Sequence, residues 1–402
     1  MRFIAALAWL LAVSLATGQD LASFRSIGTV DGRLAASRYK QIFKEEAAPG
    51  REIKLFKAVY NSRHAQLSGL VAIPADGAPK GLVIYFHGAT ADRNNVPSRY
   101  NGEAEAAVLA FATAGYAVAA PDYAGLGDDP GFHPFPMGSL NSQSGIDLIA
   151  PARALAGQVG LGIGSDLFVT GYSEGGAAAM WAVRQMQALS DPLYRVVRSA
   201  PLSGPYDLTG AQAKAMLHRQ SNLAWLAARV YFASYAARAV QKNVTPIRLE
   251  DYFAPSFASY IPFVYDQELG DDKLIKKLLL KAMQLGAFQT LGHILTSRFR
   301  KALEHTDITD PVVDILRQND CLDWTPTTPM YLVCIEDDFV VVKENTLNFI
   351  ASMRKRGIGP DLAAYYVIGG RKYDHMKGLM PTLLLARKFL DGGFPAVPTA
   401  NR

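Results

Sequence analysis

The sequence has few of the features that mark metal, nucleic-acid or membrane proteins. Only two of its 402 residues are cysteine, and no two of its seven histidines lie four residues apart, so no metal-ligand spacing is present. Charged residues make up 19% of the chain, and the 41 basic ones are scattered rather than clustered on one face. Beyond the N-terminus, no apolar run is long enough to span a bilayer. We therefore expect no metal, no nucleic-acid partner and no stable membrane span.

The N-terminal segment is typical of a signal peptide. Met1 and Arg2 precede an apolar run from Phe3 to Ala16, which small residues and then Gln19 follow. The run is shorter than the roughly 20 residues that a membrane anchor requires. We expect residues 1–18 to be removed and the mature chain to be secreted or periplasmic.

Hydrophobic periodicity alternates between strand-like and helix-like along the mature chain. Half of the residues are hydrophobic, which is enough for a sizeable core. Two amphipathic runs, at residues 53–60 and 67–74, and six nearly continuous apolar runs, at residues 81–86, 116–121, 167–171, 196–202, 330–335 and 361–368, predict strands. The first two suit an antiparallel edge pair, and the others suit strands buried on both faces. The pattern predicts a fold of the α/β class, an eight-stranded, mostly parallel sheet flanked by helices.

One long segment interrupts this alternation. From residue 207 to 320 no convincing strand occurs, and the sequence is helical and rich in aromatic residues. Because strand-like sequence resumes directly after Pro329, we interpret residues 207–320 as a helical cap inserted between strands six and seven. Residues 19–206 and 321–402 then form the domain that contains the sheet.

A serine lies at the end of the fifth predicted strand. Gly171, Ser173 and Gly175 form the pattern G-x-S-x-G, and a helix-forming run begins at Glu174. A serine on such a tight strand-to-helix turn needs small neighbours, and the N-terminus of the helix favours an anion beside it. A glycine-rich turn without a chemical role is the alternative, but the placement after a strand favours a nucleophile.

A serine reacts at neutral pH only when a base accepts its proton and an acid orients that base. In enzymes with this turn the order along the chain is serine, acid, histidine, and His375 is the only histidine that fits. The acid is expected just after strand seven, where Glu336, Asp337 and Asp338 are consecutive. We choose Asp338, because the turn must first clear the strand, and keep Asp337 and Glu336 as alternatives.

An oxyanion formed during acyl transfer needs two hydrogen-bond donors. One is expected to be the backbone N–H of Glu174, directly after the serine. The other should come from the loop after strand three, where Gly88 lets the backbone approach and the N–H of Ala89, or less favourably Thr90, can point inward.

Three aromatic residues are candidates for substrate binding. Tyr123, in the loop after strand four, is expected in the wall of the site. Trp225 and Tyr231 lie on apolar faces of the cap, which either line an acyl pocket or form the cap's own core. The sequence does not decide between these two interpretations of the cap.

Two interpretations of the two cysteines are also possible. Cys321 and Cys334 flank a turn-like segment and could pair in an oxidising compartment. Alternatively, Cys334 is a small buried residue within a strand.

At these residues the chain resembles the α/β-hydrolase superfamily and, within it, the secretory lipase family of fungal lipase-A-type enzymes and bacterial esterases. The similarity extends from about Gly81 to Leu390 and rests on these segments: "FHG", "PDYAGLG" followed by "HP", "GYSEGG", "SGPYDL", "LDWTPTTPMYLV" and the late histidine. The resemblance implies a Ser-His-Asp hydrolase of carboxylic esters with a helical lid over an apolar acyl site. The chain departs from the family at "CIEDD", where a glycine often precedes the acid, and at Val342, where proline is frequent.

We therefore predict a secreted esterase or lipase that acts on a small-molecule or lipid ester through Ser173, Asp338 and His375, forms an acyl-enzyme and needs no cofactor. A serine peptidase of the same fold would use the same three residues but usually needs a charged anchor for a peptide terminus, and none is recognisable. A binding protein without activity is the remaining alternative. The sequence indicates no particular oligomeric state.

Overall fold

The computed structural model describes residues 20–46, 50–63, 65–219, 222–305 and 308–393, so the predicted signal peptide lies outside the described residues. The strands are β1 Leu21–Val30, β2 Ile53–Ser62, β3 Ala65–Pro74, β4 Leu82–Phe86, β5 Ala117–Pro121, β6 Leu167–Tyr172, β7 Val196–Leu202, β8 Met330–Ile335 and β9 Ala363–Ile368. The α-helices are α1 Gly32–Phe43, α2 Gly102–Ala112, α3 Gly138–Gln158, α4 Glu174–Gln187, α5 Ala213–Leu217, α6 Leu223–Asn243, α7 Pro255–Ala258, α8 Tyr260–Tyr265, α9 Asp271–Gln284, α10 Ser297–Glu304, α11 Pro311–Gln318, α12 Glu344–Lys355 and α13 His375–Gly392.

All of these strands form one mixed sheet. Their order is β1-β2-β3-β5-β4-β6-β7-β8-β9. Neighbours are antiparallel from β1 to β3 and between β3 and β5, and parallel from β5 onward. The carboxyl ends of β4, β6, β7, β8 and β9 therefore lie at one edge of the sheet, which is where ligands bind in such folds.

The expected count of eight strands is wrong by one, because the sequence analysis missed β1. Its least exposed residues, Leu21, Phe24, Ile27 and Val30, are three apart, whereas a regular strand alternates with a period of two. Two irregularities in the pairing with β2, after Leu21 and after Ser26, each take up an extra residue. Such bulges hide an edge strand from a search for strict alternation.

Alternate residues of the central strands face two helical layers. In β4, Leu82, Ile84 and Phe86 pack on the side of α3, α4 and α12, while Val83 and Tyr85 pack on the side of α1, α2 and α13. Because every residue of β4 is buried, its sequence is a continuous apolar run. The sheet with helices on both faces is the predicted α/β architecture.

Between β7 and β8 the chain forms α5 to α11. These helices share a hydrophobic cluster of their own, in which Trp225, Tyr235, Phe253 and Leu278 are buried. Apart from one bridge between Phe253 and Leu295, no strand pairing occurs in the described part of this segment. The boundaries 207–320 for a cap stay a prediction. No helix in the described ranges combines the length and the hydropathy that crossing a membrane would require.

Candidate active site

Ser173 lies on a tight turn between β6 and α4. Its φ is +59° and its ψ is −123°, a conformation that a residue with a side chain rarely adopts. A Cβ on Gly171 would lie 2.3 Å from the carbonyl oxygen of Gly175, and one on Gly175 would lie 2.0 Å from that of Phe86. The turn therefore requires glycine on both sides of the serine, which explains the G-x-S-x-G pattern.

The structure brings Ser173, His375 and Asp338 together from β6, α13 and the loop after β8. His375 Nε2 lies 2.8 Å from Ser173 Oγ, and His375 Nδ1 lies 2.7 Å from Asp338 Oδ2. All three residues are buried. When Nδ1 donates to the carboxylate, Nε2 is free to accept the serine proton.

Of the three consecutive carboxylates, only Asp338 points into the site. Its other oxygen, Oδ1, accepts hydrogen bonds from the backbone N–H groups of Val340 and Val341, both at 2.9 Å. Asp337 and Glu336 are exposed, and Glu336 binds a lysine. The tight turn after β8 thus holds the Asp338 carboxylate in one orientation.

His375 is the first residue of α13. The hydroxyl of Tyr172 donates a hydrogen bond to the His375 carbonyl. One turn further along α13, Gly378 packs so closely on β8 that a Cβ there would lie 1.7 Å from Ile335 Cδ1. These contacts fix the N-terminus of α13 against the ends of β6 and β8.

Two residues that border the pocket beside Ser173 are candidates for oxyanion donors. Ala89 and Glu174 line the same pocket as Ser173, and neither N–H donates a hydrogen bond within the described part of the chain. The neighbouring N–H of Gly88 is engaged, because it donates to Glu103 Oε1 at 2.9 Å. Ala89 and Glu174 are therefore available to hold an anion at this position.

The loop after β4, residues 87–91, is held by the helical segment above it. Asp271, the first residue of α9, accepts a hydrogen bond from Thr90 Oγ1 at 2.5 Å and one from the Ala91 N–H at 2.8 Å. The Tyr235 hydroxyl donates to the Thr90 carbonyl at 2.9 Å. The partners in these contacts lie more than 140 residues apart in the sequence, so no local pattern predicts the contacts.

The side chain of Glu174 belongs to a buried polar cluster that the sequence analysis also missed. Glu174 Oε1 lies 2.9 Å from His133 Nε2 and accepts from Asn141 Nδ2 at 2.7 Å. The other oxygen, Oε2, has no hydrogen-bond partner in the described part of the chain. His133 is the histidine of the "HP" segment, so a weak sequence signal for its role existed.

A mainly apolar pocket opens beside Ser173. The space at this position measures about 830 Å³ together with the open solvent at its entrance. Besides Ala89, Ser173 and Glu174, the wall contains Phe135 from the loop before α3 and Val341 from the loop after β8. The segment between β7 and β8 contributes Phe232, Leu291, Leu295 and Phe299, among others. Such a lining suits a hydrocarbon chain.

The three aromatic candidates do not line this pocket. Tyr123 is fully buried, and its hydroxyl donates to the His87 carbonyl at 2.9 Å. Trp225 stacks on the guanidinium of Arg229 within the helical segment. Tyr231 is buried there as well, 3.3 Å from Asp271 Oδ1.

The two cysteines are free thiols. Cys321 and Cys334 are buried, and burial raises the pKa of each thiol to about 12. The reading of Cys334 as a small buried strand residue is therefore the one that the structure bears out.

Solved structures of similar fold cover nearly the whole chain. A presumed hydrolase of Legionella pneumophila superimposes with a TM-score of 0.80 at 25% identity, over 92% of this chain and 97% of that one. The rice cell wall degrading esterase LipA of Xanthomonas oryzae has a TM-score of 0.78 at 22% identity, over 94% and 99%. Candida antarctica lipase A has a TM-score of 0.63 at 15% identity, over 95% and 84%.

These likenesses show that the chain has the α/β-hydrolase fold and resembles the lipases and esterases of that fold. No family model matches the chain. No curated protein matches it either.

Proposed function

We propose that the protein is a secreted serine hydrolase that cleaves carboxylic esters. The observation that carries this proposal is the continuous hydrogen-bonded chain from Ser173 Oγ through His375 to Asp338, with steps of 2.8 and 2.7 Å. Because Ser173 lines a mainly apolar pocket, its surroundings support an ester with a hydrocarbon acyl group as the substrate.

The mechanism begins with proton transfer from Ser173 to His375 Nε2. The serine oxygen attacks the ester carbonyl, and the negative charge that develops on the carbonyl oxygen is held by the N–H groups of Ala89 and Glu174. The imidazolium, stabilised by Asp338, then protonates the departing alcohol and leaves an acyl-enzyme. Water attacks this intermediate with His375 again as base, and the carboxylic acid is released.

The sequence-derived boundaries complete the proposal. Residues 1–18 direct export and are removed, residues 19–206 and 321–402 carry the catalytic groups, and residues 207–320 form the cap. The pocket wall supports a role for this cap in binding the acyl chain, since Phe232, Leu291 and Leu295 all belong to it. Fold relatives whose names state esterase or lipase activity support the same reaction class.

A serine peptidase is the competing assignment. Glu174 is the one acidic side chain among the described residues of the pocket wall, and one of its oxygens is bound to His133 and Asn141. The other described residues of the wall are almost entirely apolar. This environment favours an uncharged chain over a peptide amino terminus.

The test compares p-nitrophenyl esters of increasing acyl length with a dipeptidyl p-nitroanilide, on the wild type and on Ser173→Ala. We expect turnover of the esters only, a maximum at an intermediate acyl length and complete loss in Ser173→Ala. Cleavage of the anilide at a comparable kcat/KM would assign the site to a peptidase. Ester turnover that persists in Ser173→Ala would place the reaction elsewhere.

A further inference from the structure

The outward face of α9 concentrates positive charge. Four of the residues of this helix are lysines: Lys273, Lys276, Lys277 and Lys281. Its two acidic residues are Asp271 and Asp272, at the start of the helix, and Asp271 is engaged with the loop at residues 87–91. None of the four lysines forms a salt bridge within the described ranges, although six other lysines do. Their charge is therefore available to a partner.

Two large apolar side chains lie among these lysines. Leu280, one turn beyond Lys277, is 49% exposed. Phe263 of α8 is 59% exposed, and Lys277 Nζ lies 5.9 Å from the centre of its ring. Lys281 Nζ lies 5.6 Å from the ring of Tyr260, next to Phe263 on the same short helix. We call Phe263, Leu280 and the four lysines the basic cap face.

The composition of the basic cap face distinguishes between classes of partner. A nucleic acid would neutralise the lysines but would leave Phe263 and Leu280 in water. A second copy of this chain, meeting this face with its own, would bring two sets of four lysines together. A bilayer with anionic headgroups satisfies both features, because headgroups attract the lysines and the acyl boundary accepts the apolar side chains.

The position of α9 relates this face to the catalytic region. Its first residue, Asp271, binds Thr90 and Ala91, beside the proposed oxyanion donor Ala89. Since 14 residues of helix extend over about 20 Å, the four lysines lie within that distance of Asp271 along the axis of α9. We propose that the basic cap face docks the protein onto lipid surfaces that contain anionic lipid.

The test measures co-sedimentation with vesicles of phosphatidylcholine, with or without about one-third phosphatidylglycerol. The protein carries Ser173→Ala, so that partition is measured without hydrolysis and does not depend on the proposed reaction. We expect binding only to the vesicles with phosphatidylglycerol, and loss of that binding at high salt. Because each basic residue contributes about a fivefold factor at such a surface, Lys273→Glu/Lys276→Glu should lower the partition coefficient at least about 20-fold.

A second variant, Phe263→Ser/Leu280→Ser, should weaken partition without altering its dependence on salt. The matched control is Lys54→Glu/Lys355→Glu, which makes the same change of charge far from the cap in sequence. Equal binding to both kinds of vesicle, or an equal loss in the control, would overturn the proposal. So would sedimentation velocity that shows a dimer lost in Phe263→Ser/Leu280→Ser, since the face would then bind a second copy.

Discussion

Replacing Asp338 by asparagine changes one atom of the candidate site and tests which carboxylate orients His375. Asp338 Oδ1 accepts two backbone hydrogen bonds, so the amide oxygen of the asparagine should occupy that position. The amide NH₂ then faces His375 Nδ1, 2.7 Å away in the wild type, and stabilises the tautomer that carries its proton on Nε2. In that tautomer Nε2 cannot accept the proton of Ser173.

We expect Asp338→Asn to reduce kcat by about 10⁴-fold, a loss of ~5.5 kcal/mol of transition-state stabilisation. KM and the melting temperature should change little, because the shape of the turn is retained. The assay is the initial rate on a saturating p-nitrophenyl ester, together with a circular dichroism melt of each variant.

Asp337→Asn and Glu336→Gln are matched controls, since they make the same chemical change one and two residues away at exposed positions. Both should keep most of the activity. A severe loss in Asp337→Asn with near-normal rates in Asp338→Asn would show that the reasoning from the turn geometry is wrong.

Three further predictions concern the surroundings of the site. Asp271→Ala removes the contacts that hold the loop at residues 87–91, so we expect kcat to fall by 10- to about 100-fold, which is part of the rate loss on removing one oxyanion donor. Asp271→Asn should cause a smaller loss. A normal kcat in both variants would show that this contact does not align the loop. Because burial raises the pKa values of Cys321 and Cys334 to about 12, both thiols should resist Ellman's reagent at pH 8 in the native protein, and two thiols should react once it is unfolded. A thiol that reacts rapidly in the native protein would contradict their burial. Gly175→Ala should abolish activity and lower the melting temperature, since its Cβ would lie 2.0 Å from a carbonyl oxygen. Gly157→Ala, whose Cβ would have no neighbour within 4 Å in the described part of the chain beyond the adjacent turns of its own helix, should keep activity and raise the free energy of unfolding by up to about 1 kcal/mol. Equal behaviour of the two variants would refute the steric argument.

The three side chains of the candidate site could be predicted because local sequence and their order along the chain constrain each of them. A serine between Gly171 and Gly175 marks the turn, and the order of residues along this fold leaves one histidine. The choice of Asp338 depended on how many residues the chain needs to turn away from the end of β8, and this number can be judged from the local sequence. Their catalytic roles stay predictions until activity is measured.

The pocket wall could not be predicted, because it depends on how α6 docks. This helix is apolar around much of its circumference, so its sequence does not indicate which face covers the site. Phe232 lines the pocket, while its neighbour Tyr231 is buried on another side. The contact of Asp271 with the loop after β4 is likewise a product of tertiary packing, and the bulges of β1 conceal its strand period.

The most direct test of the central claim is covalent labelling with a fluorophosphonate, which reacts with a serine only when a base activates it. Wild-type protein is incubated with the probe, digested and mapped by mass spectrometry beside Ser173→Ala and His375→Ala. The account predicts one modified peptide, labelled at Ser173, with no labelling of Ser173→Ala and strongly slowed labelling of His375→Ala. An unlabelled wild type, or a label on another serine, would contradict it.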